Sequence, residues 1–344
     1  MMEMPLENNN NDAFRSKFKY YKSKKPKPSL SEVLILNDDG NNVDTVSFIP
    51  KEVAEDKRAA ALGLSSTLTW KVYSFKQHPG LLMIRNPFTP LGQRYWSRRC
   101  LEEYPKKPNK RNIDIEVDVQ DWWSECFKLQ ECDKILQKKL RWTTLGYHHN
   151  WDTKVYTDEN RSPFPEDLSE LSDVVAGYLG FSGYQAQAAI VNYYHMDSTL
   201  SPHTDHSEVN LQAPLLSFSF GQSAIFLIGG TDKSVDPTAI LLNSGDILVM
   251  SEQARLCYHA VPKILPASNI PWNHTEEVNL KHSLDAKFKY ITNVNQIVTE
   301  MNRNLDSTQW NRFNNYISES RINMNVRQVL KGRQNTLKDL VDDT

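Results

Sequence analysis

The chain has 344 residues, of which 39% are hydrophobic and 10% aromatic, enough for one large or two ordinary globular domains. Its net charge of −2 excludes a general polycation, and no apolar run is long enough to cross a bilayer. The four cysteines form no C-x-x-C pair, which excludes a thiolate zinc site of that kind and predicts reduced thiols. Because the opening MMEMPLENNNND lacks the order of a secretory signal, we expect an intracellular protein.

The first 70 residues are predicted to form an N-terminal extension. Residues 1–12 contain four consecutive asparagines and little to bury, which predicts disorder. A basic helix with one aromatic face is predicted near residues 13–25, because three aromatic residues recur at helical spacing, namely Phe14, Phe18 and Tyr21. Pro26 and Pro28 should end it. We expect the aromatic face to pack on the body of the protein.

Two basic clusters stand out against the near-neutral whole. Residues 15–27 hold seven basic side chains and no acidic one, and residues 106–111 hold a second cluster, Lys106, Lys107, Lys110 and Arg111. Each cluster could contact phosphate or simply be a solvated surface, and the pattern alone leaves both readings open.

Further helices are predicted before residue 186. A strand in GLLMIRN should lead to a helix capped by Thr89, with Pro90 in its first turn and its end near Pro105. A second helix is predicted from Trp122 to about Leu140, with the two adjacent tryptophans packed in the core. The segment DLSELSDVVAGYLG fits an amphipathic helix with a glycine near its C-cap.

From residue 186 the sequence changes to short β-type runs separated by turn signals. The runs are AIVNYYH, PLLSFSF, SAIFLIGG, TAILL, DILVM, ARLCYHAV and RINMNVRQVL. Such a series predicts an antiparallel sandwich or barrel, so the fold class is a mainly β core with flanking helices. Residues 264–305 separate the last two runs and are predicted to be a loop-and-helix insertion at the surface.

His203 and Asp205 are two positions apart just after a predicted strand, so both could face a single metal ion. Two ligands rarely suffice, and His259 is the third candidate if the strands between fold back as a barrel. A face of two histidines and one carboxylate holds Fe(II) while leaving coordination positions open for substrate-level ligands and oxygen. The pattern therefore indicates an oxygenase.

The last predicted strand points to the cosubstrate. Arg321, Asn323 and Arg327 are separated by even steps, so a regular strand presents all three on one face. Burying two arginines is costly without anionic partners, and a guanidinium matches a carboxylate bidentately. The dicarboxylate 2-oxoglutarate fits this face, and Asn192 and Tyr194 could add hydrogen bonds to it. Each arginine alone would more often be an ordinary ion pair; the combination with the iron triad favours the cosubstrate.

These residues resemble the AlkB family of Fe(II)- and 2-oxoglutarate-dependent nucleic-acid dioxygenases. The resemblance rests on HTD at 203–205, His259 and R-x-N-x-x-x-R at 321–327. Wider stretches are similar to its AlkB-homologue-1 subfamily: LRWTTLGYHHNWDTKVY, NYYHMDSTLSPHTDHSE, PLLSFSFGQSAIFLIGG and RINMNVRQVL. The resemblance covers most of residues 71–335.

The resemblance implies a double-stranded β-helix (jelly-roll) catalytic domain over residues 71–344. It implies Fe(II) bound by His203, Asp205 and His259, with O2 and 2-oxoglutarate as cosubstrates. The distal carboxylate of 2-oxoglutarate would pair with Arg321, three side chains would hydrogen-bond to the cosubstrate, and Arg327 would sit nearer the metal; the three are Asn192, Tyr194 and Asn323.

The same resemblance implies the reaction. Fe(II) and O2 oxidise 2-oxoglutarate to succinate and carbon dioxide while a methyl group is hydroxylated, and an N-hydroxymethyl group then sheds formaldehyde. The expected substrate is methyladenine in tRNA or unpaired DNA, with oxidation of 5-methylcytosine in tRNA as a further activity.

Substrate residues are predicted in a nucleotide-recognition lid near residues 140–160, because a base must leave its stack to reach the iron. The candidates there are Tyr147, Trp151, Lys154 and Tyr156, although Trp151 could equally be ordinary packing. Repair-type members of the family have an acidic residue where this chain has Ser207, so base reading must differ. Glu208 is the candidate substitute, although it should face away on a regular strand.

Two other functions use parts of the same pattern. A protein hydroxylase or histone demethylase could carry the same triad, but it would need an acidic groove for a basic peptide. A non-catalytic nucleic-acid-binding protein would leave the triad and the arginine row unexplained. We expect a monomer without membrane association that binds tRNA or unpaired DNA through residues 15–27 and 106–111. The segment Lys22–Lys27 favours the nucleus, with mitochondrion and cytoplasm open.

Overall fold

The structure is a computed structural model that describes residues 12–36, 44–50, 54–129, 132–273, 275 and 286–339. The disorder predicted for residues 1–12 falls outside this range except at Asp12, whose side chain accepts a hydrogen bond from the Arg15 N–H and caps the first helix.

Thirteen strands form two antiparallel sheets within the described residues. The larger sheet has nine strands in the order β1-β2-β3-β11-β8-β13-β6-β5-β4, and the smaller has four in the order β10-β9-β12-β7. The strands are β1 Thr45–Ser47, β2 Val72–Phe75, β3 His78–Ile84, β4 Lys110–Arg111, β5 Trp142–Gly146, β6 Ala188–His195, β7 Leu200–His203, β8 Leu215–Gly221, β9 Ser223–Ile228, β10 Thr238–Leu242, β11 Ile247–Met250, β12 His259–Leu265 and β13 Ser320–Arg327.

Side-chain alternation divides the core into two layers. On β3, Leu81 and Met83 face the smaller sheet, while Leu82 and Ile84 face the helices on the other side of the larger sheet. A strand buried on both faces reads as a continuous apolar run, which explains the composition of β3 and β9. This arrangement confirms the predicted mainly β core with flanking helices.

Seven α-helices are described: α1 Ala13–Lys22, α2 Pro90–Arg98, α3 Trp122–Cys126, α4 Lys134–Lys139, α5 Glu166–Tyr178, α6 Val294–Asn302 and α7 Ser307–Ile317. The predicted start of α2 is confirmed, because the Thr89 hydroxyl accepts from the Gly92 N–H at 3.0 Å, and a π-helical turn extends α2 to Glu103. Gly180 follows α5 with a φ of 91°, as predicted for its C-terminus. No described helix is both long and apolar enough to cross a membrane.

Two predicted elements differ from the structure. The single helix from Trp122 to Leu140 is wrong: α3 and α4 are separate, because Asp121 and Asp133 each cap a new helix through hydrogen bonds to its first N–H groups. The predicted core packing of Trp122 and Trp123 is confirmed. The strand predicted for ARLCYHAV begins only at His259, since the preceding residues form a 3-10 helix.

Helix α1 packs on the outer face of the smaller sheet. Its predicted aromatic face is confirmed, because Phe14, Phe18 and Tyr21 are buried against β9 and β12, where they contact Ile225 and Leu227 among others. The strand β1 pairs with β2 across the predicted boundary at residue 70. The division into an extension and a catalytic domain stays a prediction, as do the limits of the 264–305 insertion, which includes α6 and the buried Trp272.

Candidate metal and cosubstrate site

The three predicted metal ligands come together at one end of the smaller sheet. His203 ends β7 and is the register partner of His259, which begins β12, and Asp205 follows β7 by two residues. The nearest Asp205 oxygens lie 4.0 Å from His203 Nε2 and 3.7 Å from His259 Nε2, and the candidate ligand atoms all lie within 4.8 Å of one another. The chain thus builds a two-histidine, one-carboxylate cluster.

Both imidazoles are oriented by backbone carbonyls. Nδ1–H of His203 donates to the Ser201 carbonyl at 2.9 Å, and Nδ1–H of His259 donates to the Cys257 carbonyl at 3.1 Å. These bonds select the tautomer that leaves each Nε2 free to bind a metal. Burial, reinforced by His203, lowers the pKa of His259 to about 4. The imidazole of His259 is therefore neutral, as metal binding requires.

The carboxylate of Asp205 is held ionised despite its burial. Burial alone would raise its pKa, but the charge of Arg327, with smaller contributions from the neighbouring histidines, keeps the pKa well below its usual range. Arg327 Nη2 donates to Asp205 Oδ2 at 2.9 Å, which places Arg327 beside the metal ligands as predicted. The site thus presents a fixed negative charge to a cation.

The guanidinium of Arg321 is buried with part of its hydrogen-bonding capacity unused. Its side chain is 1% exposed, and Nη2 donates to the Ser219 hydroxyl at 2.9 Å. Nε and Nη1 have no hydrogen-bond partner among the described residues. Burial lowers the pKa of Arg321 to about 10. A buried cation with two free donors is the arrangement that a carboxylate would complete.

Three other predicted cosubstrate residues lie on β13 with Arg321 or on its paired strand β6. Arg321 and Asn323 pair with Tyr194 and Asn192 across β13 and β6. The Asn323 amide already donates to the Ser217 hydroxyl and the Phe218 carbonyl, at 2.9 and 3.0 Å. The serines of β8 were missed by sequence reasoning, although their alternation with phenylalanine in LSFSF was the signal of a polar face turned inward. The polar row fits a dicarboxylate, and the histidine–aspartate cluster fits Fe(II).

Glu208 is part of a buried charge network. One carboxylate oxygen accepts from Arg255 Nη2 at 2.8 Å, and the other lies 3.1 Å from both Arg327 Nε and the Tyr156 hydroxyl. Both oxygens are thus engaged by the protein, because the chain after β7 does not continue as a regular strand. The base contact predicted for Glu208 stays a prediction.

A cavity of about 630 Å³ opens beside the metal ligands. Its lining includes four predicted substrate residues, Trp151, Lys154, Tyr156 and Glu208, together with Asn192 and Arg327. Tyr147 does not line it: this residue is 4% exposed, and its hydroxyl donates to Asp158 at 2.9 Å. The first part of the predicted lid is strand β5, so the pocket wall comes from the residues after it.

Three further residues at the cavity were missed by sequence reasoning. A hydrogen bond of 3.0 Å joins His149 Nε2 and the Ser207 hydroxyl, and the His149 ring packs edge-on against Trp151 with centroids 4.7 Å apart. Lys233 lies with Nζ 5.0 Å from the centre of the Tyr258 ring, and both residues line the cavity. Only the HH pair in the lid and the tyrosine preceding His259 could have drawn attention to them.

The two basic clusters differ in exposure. The cations Arg15, Lys19 and Lys22 of α1 are exposed outside its buried aromatic face, with Lys22 Nζ 5.7 Å from the centre of the Phe18 ring. In the second cluster, Arg111 is 2% exposed and bound to Asp114, so the prediction that it contacts phosphate is wrong. Lys106 pairs with Glu103, and Lys107 also pairs with Asp114, at 2.8 and 3.1 Å.

Comparison with known protein families supports the assignment of these residues to a metal and cosubstrate site. The family model of the 2OG-Fe(II) oxygenase superfamily matches residues 80–327, a span that contains every predicted metal and cosubstrate residue. The protein is therefore a dioxygenase that uses Fe(II), 2-oxoglutarate and O2.

Relatives narrow the family. The mouse "Nucleic acid dioxygenase ALKBH1" is 38% identical over 97% of this chain and 88% of its own length. The fission yeast (Schizosaccharomyces pombe) "tRNA demethylase abh1" is 31% identical over 94% of this chain and 97% of its own length. The Arabidopsis thaliana "DNA N(6)-methyladenine demethylase ALKBH1A" is 27% identical over 90% of this chain and 90% of its own length. The chain belongs to the AlkB family, within its ALKBH1 subfamily. A solved structure of OsALKBH1 is 18% identical with a TM-score of 0.42, covering 73% of this chain and 97% of that one.

Proposed function

We propose that the protein oxidatively demethylates bases in nucleic acid, with methyladenine in tRNA or unpaired DNA as the main substrate and 5-methylcytosine in tRNA as a further one. The observation that carries the proposal is the cavity beside the histidine–aspartate cluster, which has aromatic and basic walls. The names of the mouse, yeast and plant relatives support it.

Each residue of the site has a proposed part. His203, Asp205 and His259 hold the iron, and the free donors of Arg321 take the distal carboxylate of 2-oxoglutarate. Iron with 2-oxoglutarate and O2 would supply the oxidation that hydroxylates a methyl group of the substrate. An N-hydroxymethyl product then releases formaldehyde. Asn192, Tyr194 and Asn323 lie where they can orient the cosubstrate.

The cavity fits a single extruded base. Its volume is in the range of sites that enclose a small ligand, so a base must leave a duplex or arrive in a loop. Trp151 is 42% exposed and Tyr258 is half-buried, so each can offer a ring face for stacking. Lys154 and Lys233 supply positive charge beside the flanking phosphates.

The charge of the cavity disfavours a protein substrate. The acidic side chains that line it, Asp205 and Glu208, are both neutralised by arginine, and the exposed charges at its mouth are lysines. A basic peptide, as in a histone tail, would meet like charge there. A nucleic-acid backbone would be attracted.

Helix α1 is the proposed track for the phosphate backbone. The Phe14 N–H donates to the Lys233 carbonyl at 3.0 Å, which places the start of α1 next to the mouth of the cavity. The exposed cations in residues 15–27 continue from that point, and Lys106, Lys107 and Lys110 remain a secondary candidate. We also propose that the protein acts as a monomer in the nucleus, with mitochondrion and cytoplasm as the alternatives.

The decisive experiment identifies the base. Iron-loaded protein is incubated with 2-oxoglutarate and a mixed pool of methylated tRNA and DNA oligonucleotides, and mass spectrometry reports which base loses or gains mass. We expect loss of the methyl group from methyladenine in unpaired segments. His203→Ala should abolish turnover of 2-oxoglutarate while sparing most nucleic-acid affinity, and turnover that persists in this variant would exclude His203 as a ligand.

A second experiment tests the phosphate track without removing α1, whose loss would expose the apolar face of the smaller sheet. Lys19 and Lys22 are replaced together by glutamine, and the control removes two exposed, ion-paired lysines elsewhere, Lys128 and Lys338. The first pair should weaken binding and lower the salt dependence of log K by about 1 for each lysine that no longer meets a phosphate. Equal behaviour of the two double variants would exclude α1 as the track.

A further inference from the structure

A buried ion pair, Arg255 with Glu208, lies behind the proposed metal site. Both side chains are 2% exposed, and their charged atoms are 2.8 Å apart. Neither residue provides a candidate metal ligand, and neither touches the Arg321 guanidinium. Burying two charges is costly, so an ion pair in this position calls for a reason other than stability.

Arg255 uses all three of its guanidinium nitrogens on one segment, residues 205–213. Nη1 donates to the Asp205 carbonyl at 2.6 Å, Nη2 to the Glu208 carboxylate, and Nε to the Ala213 carbonyl at 3.3 Å. The segment contains no strand, so no sheet ladder holds it in place. The planar, rigid guanidinium of Arg255 therefore holds the beginning, middle and end of this segment together.

Glu208 extends this arrangement to the metal ligand itself. Its second oxygen lies 3.1 Å from Arg327 Nε, while Arg327 Nη2 donates to Asp205 Oδ2. The Tyr156 hydroxyl donates to the same Glu208 oxygen, also at 3.1 Å. The two arginines and two carboxylates form a chain of charge-assisted bonds that is electrically balanced and ends on the metal-binding carboxylate.

The pair also connects the two halves of the ligand set. Arg255 lies in the 3-10 helix Glu252–Leu256, just before His259 on β12, whereas Asp205 follows β7. The pairing of β7 with β12 and the bond from Arg327 to Asp205 also fix Asp205 relative to His259, and the guanidinium of Arg255 adds a further link between the two elements.

We propose that Arg255 and Glu208 are positioning residues that hold the Asp205 carboxylate in place for the metal. The inference rests on the proposed iron site. Outer residues that orient metal ligands typically contribute 10- to 100-fold to metal affinity. Loss of the pair should therefore weaken metal binding by about tenfold.

Mn(II), alone and without cosubstrate, is the probe, and its dissociation constant is measured by titration calorimetry or by its electron paramagnetic resonance signal. Glu208→Gln keeps the shape of the side chain and removes its charge, and we expect the Mn(II) dissociation constant to rise about tenfold. Arg255→Lys retains the charge but cannot reach three partners at once, so an intermediate rise is expected.

Glu170→Gln is the matched control. Glu170 is fully buried, pairs with Arg58, and accepts hydrogen bonds from the N–H groups of residues 289–291, so it also organises a segment through a buried charge. It lies outside the metal cluster. Its replacement should lower stability while leaving Mn(II) affinity within about twofold of the original chain.

The outcomes distinguish failure of the positioning role from failure of the proposed metal site. If the unaltered chain binds no Mn(II), the proposed metal site fails. If it binds Mn(II) and either folded variant, Glu208→Gln or Arg255→Lys, keeps the original affinity, the positioning role alone is overturned. Should both variants fail to fold, Tyr156→Phe removes one hydrogen bond from Glu208 at little structural cost. It is expected to weaken Mn(II) binding about twofold to threefold, and an unchanged affinity overturns the role.

Discussion

Replacing Arg321 with methionine should stabilise the protein in the absence of 2-oxoglutarate and destroy its response to that cosubstrate. The pKa of this fully buried arginine falls from 12.5 to about 10, chiefly through desolvation. Since a tenfold change in an equilibrium is about 1.4 kcal/mol, keeping the guanidinium charged costs on the order of 3 kcal/mol. Methionine removes that cost. It also leaves the Ser219 hydroxyl without its donor, which destabilises the protein by about 1 kcal/mol.

The expected gain in the free energy of unfolding is therefore about 2 kcal/mol without cosubstrate. Hydrogen bonds to a charged group contribute about 1.5–3 kcal/mol each, so losing two should weaken 2-oxoglutarate binding at least 100-fold. Urea denaturation with and without 2-oxoglutarate, in the presence of Mn(II), measures both quantities in one series. In the original chain a saturating ligand at 100 times its dissociation constant adds about 2.7 kcal/mol, and in the variant it should add almost nothing.

Arg94→Met provides the contrast. This arginine is also buried, but each of its three guanidinium nitrogens donates to a backbone carbonyl, so its loss should destabilise the chain. If Arg321→Met is destabilised to the same degree as Arg94→Met, or if 2-oxoglutarate still stabilises it as in the original chain, the assignment of an anion site to Arg321 is wrong.

Three further outcomes follow from packing and burial. Phe14→Ala should lower the free energy of unfolding by about 3–5 kcal/mol in a urea titration, because the ring is fully buried beneath α1; a loss below about 1 kcal/mol would mean that the helix is not docked in solution. Gly92→Ala should unfold or strongly destabilise the chain, since its Cβ would overlap the Gly63 carbonyl oxygen, whereas Gly177→Ala, with nothing within 4 Å, should be tolerated in a thermal melt. Burial, together with Lys110, lowers the pKa of His148 to about 4, so the unfolded chain takes up its proton first and stability falls as pH drops from about 6.5 to 4, by at most about 3 kcal/mol. His148→Asn should flatten that pH profile, and an unaltered slope would contradict the burial argument.

Local patterns in the sequence were sufficient to predict the fold class and the kind of site. The even steps from Arg321 to Arg327 follow from the two-residue repeat of a strand, which needs no knowledge of distant contacts, whereas Asp205 lies two residues beyond the end of β7. The aromatic spacing of α1 follows in the same way from the helical repeat. The resemblance carried by these residues, confirmed by the family match, assigned the iron and cosubstrate chemistry.

What the tertiary structure decided depends on contacts between residues far apart in the chain. Only the register of β7 against β12 brings His259 to His203, and only the fold of the irregular segment after β7 turns Glu208 inward to Arg255. Packing in one buried cluster with Val329 and Leu330, distant in the chain, likewise buries Tyr147 away from the cavity. By contrast, the division into α3 and α4 could have been predicted locally, because Asp121 and Asp133 are each an N-cap residue. A side chain's partners across a barrel are set by strand register, and the periodicity of one segment carries no information about the register of another.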